Sequence, residues 1–131
     1  MVRKLSVIAA LVVIAAMAAA STASAAGPAK VKVTIHVGNG NFSGRAMSSK
    51  LDKCVKNRTV TLLRQDTSRQ RPNSDTQIAM DTVELHGNHG EWSTGNTGLE
   101  GGRYYARIAA KNGCKAGSSP TIASDRPATD Y

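Results

Sequence analysis

The chain holds 131 residues and carries 17 Lys and Arg against 9 Asp and Glu, a formal net charge of +8. That length allows one domain and excludes a large multidomain enzyme. Aromatic residues make up only 4% of the chain, so any core must rest mainly on aliphatic side chains, and a thin core gains from a covalent staple.

Arg3 and Lys4 open the chain, residues 7–20 are almost purely apolar, and Ser21-Thr22-Ala23-Ser24-Ala25-Ala26 follows as a run of small residues. A basic start, an apolar stretch and an A-x-A triplet are the three parts of a secretory signal peptide. Ala23-Ser24-Ala25 places the expected cut before Ala26, with a cut after Ala26 as the neighbouring choice. The apolar stretch of about 14 residues falls short of the ~20 that span a bilayer. No cysteine stands near the cut to carry a lipid. Residues 1–26 are therefore expected to be a signal peptide, residues 27–123 a secreted domain and residues 124–131 a disordered polar tail. Without Arg3 and Lys4 the exported chain keeps 15 basic against 9 acidic groups, and no further run reaches membrane-spanning length.

Within the domain, alternation of apolar and polar residues marks strands. Residues 31–37 alternate through Val31, Val33, Ile35 and Val37, and Gly38-Asn39-Gly40-Asn41 punctuates them as a turn. Residues 42–48 form a second strand with Gly44 as a candidate bulge, and residues 58–64 a third, after a basic, polar segment that contains Cys54. The polar residues 65–76 read as a long hairpin loop. Residues 77–85 resume alternation through Ile78, Met80 and Val83, and residues 91–94 make a short strand after the turn Gly87-Asn88-His89-Gly90. A Gly-rich loop over 95–102 leads to residues 103–110, with Tyr104, Ala106 and Ile108 on one face, and a last short strand stands near Thr121 and Ile122. About seven short strands with frequent turn signals, and no sustained helical repeat, predict an all-β, antiparallel two-sheet sandwich.

Cys54 and Cys114 are the only cysteines. An even count in an exported domain predicts one disulfide, and closing a loop of about 60 residues stabilises by roughly 4 kcal/mol in the loop-entropy account.

Phe42-Ser43-Gly44-Arg45, Cys54 and the run Arg58-Thr59-Val60-Thr61-Leu62-Leu63-Arg64 resemble the opening half of carboxypeptidase regulatory-like domains. Asp81-Thr82, Gly90-Glu91-Trp92 and Gly101-Gly102-Arg103-Tyr104-Tyr105-Ala106 resemble the closing half, where a polar turn ends in Gly plus an aromatic and a Gly-x-Tyr strand follows. The resemblance covers residues 31–122 through short motifs. It implies a transthyretin-like or Ig-like sandwich of about seven strands, of a kind usually found in exported proteins. The family has no shared catalytic residues, so a structural or interaction role is what it implies.

The residues themselves offer little catalytic chemistry. His86-Gly87-Asn88-His89 brings two imidazoles near each other, with Glu84 and Glu91 close in sequence, yet a Gly-Asn turn is a poor holder for a metal. No Gly-x-Ser-x-Gly elbow and no phosphate-cradling GK[ST] loop occurs. No catalytic residue, cofactor or metal site is therefore expected, and the chain does not read as an enzyme. Asn41-Phe42-Ser43 and Asn57-Arg58-Thr59 match the glycosylation pattern, a three-residue signal that arises readily by chance.

Charge is the stronger signal. Lys50, Lys53, Lys56 and Arg58 cluster about Cys54, while Lys111 and Lys115 flank Cys114, so the disulfide would gather six basic side chains at one end. Arg64, Arg69 and Arg71 add a second group along the long hairpin. Such a patch on an exported chain suits an anionic envelope polymer, although basic loop residues also serve solubility. Stacking aromatics are missing from these clusters, which argues against specific nucleic-acid binding. The expected function is a secreted, non-enzymatic module at the cell envelope. The alternative is a secreted protein-binding module, an inhibitor or accessory subunit, that uses the long hairpin or a sheet edge.

Overall fold

The computed structural model describes residues 27–99 and 101–124; the expected signal peptide and residues 125–131 of the expected tail lie outside the described residues. The elements are β1 (Lys32–Val33), β2 (His36–Gly38), β3 (Asn41–Met47), the one-turn helix α1 (Leu51–Cys54), β4 (Thr59–Arg64), β5 (Thr76–Thr82), β6 (Glu84–His86), β7 (His89–Asn96), β8 (Arg103–Ile108), β9 (Gly117–Ser118) and β10 (Ile122–Ala123). They form two antiparallel sheets. One runs β1-β3-β7-β6 with β2 also on β3, and the other runs β10-β8-β4-β5 with β9 also on β8. The all-β sandwich with one disulfide is as expected, built from more and shorter strands.

The extra strands come from three places. The alternating residues 31–37 are split, yet β1 and β2 pair with β3 in one continuous register, from Lys32 opposite Met47 to Gly38 opposite Asn41. Between them the Thr34 carbonyl accepts the Trp92 indole N–H at 3.2 Å, and its amide donates to the Arg45 carbonyl at 2.9 Å. Gly44 is what permits this crossing, since a Cβ there would lie 2.0 Å from the Thr34 oxygen. It marks a close backbone approach rather than a bulge, and the register shift of β3 falls between Asn41 and Ser43.

The segment 77–85 departs further from the expected single strand. β5 belongs to one sheet and β6 to the other, and fully buried Val83 makes the crossing by donating to the Arg58 carbonyl and accepting from the Asn57 amide. The expected alternation also fails at Met80, which is 61% exposed. A register shift between Leu62 and Leu63 leaves Ile78 as the extra residue, so Ala79 rather than Ile78 stands opposite the core-facing Leu62, and Asp81 rather than Met80 stands opposite Val60. The third addition is the pairing of β9 and β10 with β8, where one terminal strand was expected.

Val33, Phe42, Ala46 and Trp92 from one sheet meet Val60, Leu62, Tyr104, Ala106 and Ile108 from the other, which is the face predicted for β8. Phe42 and Tyr104 pair across the sandwich with ring centroids 4.9 Å apart, a contact worth about 0.5–1.5 kcal/mol beyond its area. Val55 and the disulfide close one end. At the other, Ser124 is buried and donates its amide to the Gly102 carbonyl, so the domain reaches one residue into the expected tail.

Gly44→Ala is expected to cost about 1–3 kcal/mol, because a backbone atom cannot retreat as a flexible side chain can. Gly38→Ala, whose Cβ would meet nothing nearer than His36 Nε2 at 4.0 Å, should change stability by less than about 0.5 kcal/mol. Urea midpoints of the two variants measure the contrast.

Candidate functional site

The disulfide joins the last residue of α1 to the turn after β8, with Cys54 and Cys114 both buried and their Cα atoms 5.5 Å apart. Backbone pairing extends this knot in both directions. Lys111 and Cys114 exchange two hydrogen bonds around Asn112 and Gly113, and the Ala29 amide donates to the Gly113 carbonyl at 2.9 Å. The Lys115 amide returns to the Ala29 carbonyl at 2.8 Å. The start of the domain, the one-turn helix and the 111–115 turn are thereby held together.

Five of the six predicted basic residues are exposed at this end: Lys50 before α1, Lys53 on it, Lys56 after it, and Lys111 and Lys115 on the turn. Lys53 lies across Gly113, where an added Cβ would come within 2.3 Å of Nζ. The sixth residue, Arg58, is placed differently. It is half-buried, Nη2 donates to the Ala109 carbonyl at 2.6 Å, and Nη1 is buried without a partner among the described residues. That guanidinium braces the end of β8 against the start of β4 rather than facing solvent.

A second polar cluster lies on the outer face of the β6–β7 hairpin. Glu84 stands opposite Glu91 and His86 opposite His89. His89 Nε2 lies 3.0 Å from Glu91 Oε1, and His86 Nε2 lies 3.7 Å from Glu91 Oε2 and 3.9 Å from Glu84 Oε2. The hydrogen bond from His89 holds the Glu91 carboxyl below its ordinary value. Glu84, His86 and Glu91 line an open groove of about 460 Å³ together with Asp81, Arg45 and Ser93. Asp81 accepts the Ser93 amide at 2.7 Å, and the Ser93 hydroxyl donates to Asn41 Oδ1 at 3.0 Å, so the serine is not paired with an imidazole. Among the described residues no three His, Cys, Asp or Glu stand as a metal site. None of the described helices is long and apolar enough to cross a membrane.

Residues 65–76 form the expected hairpin loop between β4 and β5, but sequence reasoning missed that the loop has its own polar core. Asp75 is buried and accepts from the Arg71 amide at 2.6 Å, the Asp66 amide at 3.1 Å and the Tyr105 hydroxyl at 2.5 Å. Burial alone would raise its pKa, but the hydrogen bonds from Tyr105, Arg71 and Asp66 outweigh it and hold the carboxyl below the usual range. Asp66 is likewise held low by the Arg64 guanidinium and the Thr76 hydroxyl. Burial and the Asp75 hydrogen bond push the Tyr105 phenol well up. Gln70 Nε2 ties the loop to the Ser119 carbonyl and the Thr121 hydroxyl, and Gln65 Oε1 accepts from Thr121. Asp66 and Asp75 flanking a polar segment are the signal that could have found this order, since Asp organises local turns by accepting backbone N–H groups. Arg69 and Arg71 remain exposed on this rigid platform.

No family model, no curated protein and no solved structure matches the chain.

Two outcomes follow from these contacts. Asp66 and Asp75 have folded-state values below their unfolded values, so their contribution is present above about pH 4 and lost as pH falls through the folded-state values. The urea midpoint should therefore hold level from pH 7 to about pH 5 and decline below about pH 4, and Asp75→Asn should flatten that decline. Arg58→Met should cost about 1–3 kcal/mol by stranding the Ala109 carbonyl, whereas Lys56→Gln should stay within about 0.5 kcal/mol. Equal losses in the two variants would contradict the distinction between brace and surface.

Proposed function

We propose that the chain is an exported, non-enzymatic β-sandwich module that binds an anionic polymer of the cell envelope through its basic end. The observation that carries this reading is the convergence on one disulfide of Lys50, Lys53 and Lys56 with Lys111 and Lys115, all exposed. Within segments 50–58 and 111–115, Asp52 is the single acidic residue, so the local field stays positive. Clustered ammonium groups of this kind attract a polyanion over about one Debye length, and the attraction falls steeply with salt. Export supplies both the oxidising compartment the disulfide needs and access to the envelope. The resemblance of short motifs to carboxypeptidase regulatory-like sandwiches supports this role and belongs to the same proposal.

A second reading, a secreted protein-binding module such as an inhibitor or accessory subunit, draws on the ordered 65–76 loop. Its buried Asp75 and the Gln65 and Gln70 anchors fix the loop before any partner arrives, which lowers the ordering cost of binding.

Sedimentation with purified envelopes across a salt series separates the two. The leading reading predicts binding at about 20 mM salt that is largely lost by about 200 mM, and that weakens when Lys53, Lys56 and Lys115 become Gln. Binding that resists salt and depends on Arg69 and Arg71 would favour the loop. No binding at any salt would remove the envelope reading.

A further inference from the structure

We infer that the α-amino group left by signal-peptide removal joins Lys50 and Lys53 in a cleft that takes a phosphate group of the polymer, so that export processing completes the site. This rests on the export and polyanion readings above. Gly27, Pro28 and Ala29 line an indentation of about 300 Å³ with Lys50, Lys53 and Gly113. Its chain wall is fixed, because Ala29 is pinned on both sides, to Gly113 and to Lys115. Pro28 fixes its own φ and restricts the residue before it, which is Gly27.

Cleavage after Ala26 makes the Gly27 nitrogen a primary ammonium in the wall of this cleft. Cleavage after Ala25 puts it on the residue before Gly27, separated from the Gly27 nitrogen by one residue, about 3.5 Å of chain. In the uncut chain the same nitrogen is a neutral amide, so processing adds one positive charge here and nowhere else on the domain. The Lys53 ammonium reaches the cleft only because residue 113 lacks a side chain: Gly113 has φ of 78°, and a Cβ would collide with Lys53 Nζ and Cε. The titratable side chains that line the cleft with Gly27 are Lys50 and Lys53; Lys30 lies on the same segment, and Lys111 and Lys115 lie two residues to either side of Gly113 in sequence. Asp52 is the one carboxylate of α1 and is exposed. Compact ammonium groups on Lys50, Lys53 and the processed chain start suit a tetrahedral phosphate, whose oxygens accept from several donors at once.

The new charge can be told from the lysines by its titration, since an α-amino group ordinarily loses its proton near pH 8 and a lysine above pH 10. The full chain is expressed with export, and the N-terminus of the purified protein is read by mass spectrometry. Affinity for inorganic polyphosphate is then measured at low salt at pH 7 and pH 9, with hyaluronate as a carboxylate comparison. A second sample has its α-amine converted to a carbonyl by transamination with pyridoxal phosphate. The inference predicts about a fivefold loss of polyphosphate affinity at pH 7 on removing the amine, the worth of one cation at a charged surface. It also predicts a loss of about the same size between pH 7 and pH 9 in the intact protein only. Hyaluronate should bind more weakly and respond less. Gly113→Ala should weaken polyphosphate binding by displacing Lys53. Polyphosphate binding that ignores the loss of the amine would overturn the inference and leave the basic end standing. A chain exported uncut would overturn it too, and absence of polyphosphate binding in every form would remove the parent reading with it.

Discussion

The Cys54–Cys114 bond is the constraint on which the functional end depends. It joins a one-turn helix, far too short to persist alone, to a turn that would otherwise hang from β8. Ala29 then completes the knot by pairing with Gly113 and Lys115. Without the bond, like charge would push the two lysine segments apart, with Asp52 the one carboxylate within them to offset it. The disulfide thus holds together charges that their own electrostatics would drive apart, and the same arrangement makes that end available to an anion.

The molecule places its polar groups in three distinct environments. At the disulfide end the lysines stay exposed and make no ion pair among the described residues. On the β6–β7 hairpin the histidines and glutamates satisfy one another. In the 65–76 loop the carboxylates are spent on backbone amides and on Tyr105, which turns a long connection into a rigid surface. The five exposed lysines of the first leave a larger surplus of charge to meet a ligand than Arg69 and Arg71 on the loop, and that is why the basic end carries the functional reading. Arg58 shows the limit of counting charges, since its guanidinium is committed to the Ala109 carbonyl.

The fold class, the disulfide and the face of β8 were legible because alternation and cysteine count report directly on burial and compartment. The turn at Asn39 and Gly40 was legible for the same kind of reason, as both residues adopt positive φ, 51° and 75°. What stayed hidden depended on distant partners. Nothing near Val83 announces that the chain changes sheets there, since its hydrogen bonds go to Asn57 and Arg58. Gly44 looked like a bulge because its true reason, the Thr34 carbonyl, lies ten residues back and meets Trp92 from β7. Met80 was misplaced by a shift in β5 that local alternation cannot reveal. At the candidate site the five lysines could be read from their spacing about the two cysteines. Arg58 could not, because its acceptor sits on the other end of the sheet's sequence.

The central claim is that the disulfide, rather than net charge, builds the binding surface. The most direct test compares the salt dependence of polyanion affinity for the oxidised protein and for Cys54→Ala/Cys114→Ala, under conditions where circular dichroism shows both folded. Net charge is identical in the two. The account predicts weaker binding and a shallower slope of log K against log salt without the bond, because fewer ammonium groups engage the polymer together. An unchanged affinity and slope would contradict it and return the lysines to the role of a solvated surface.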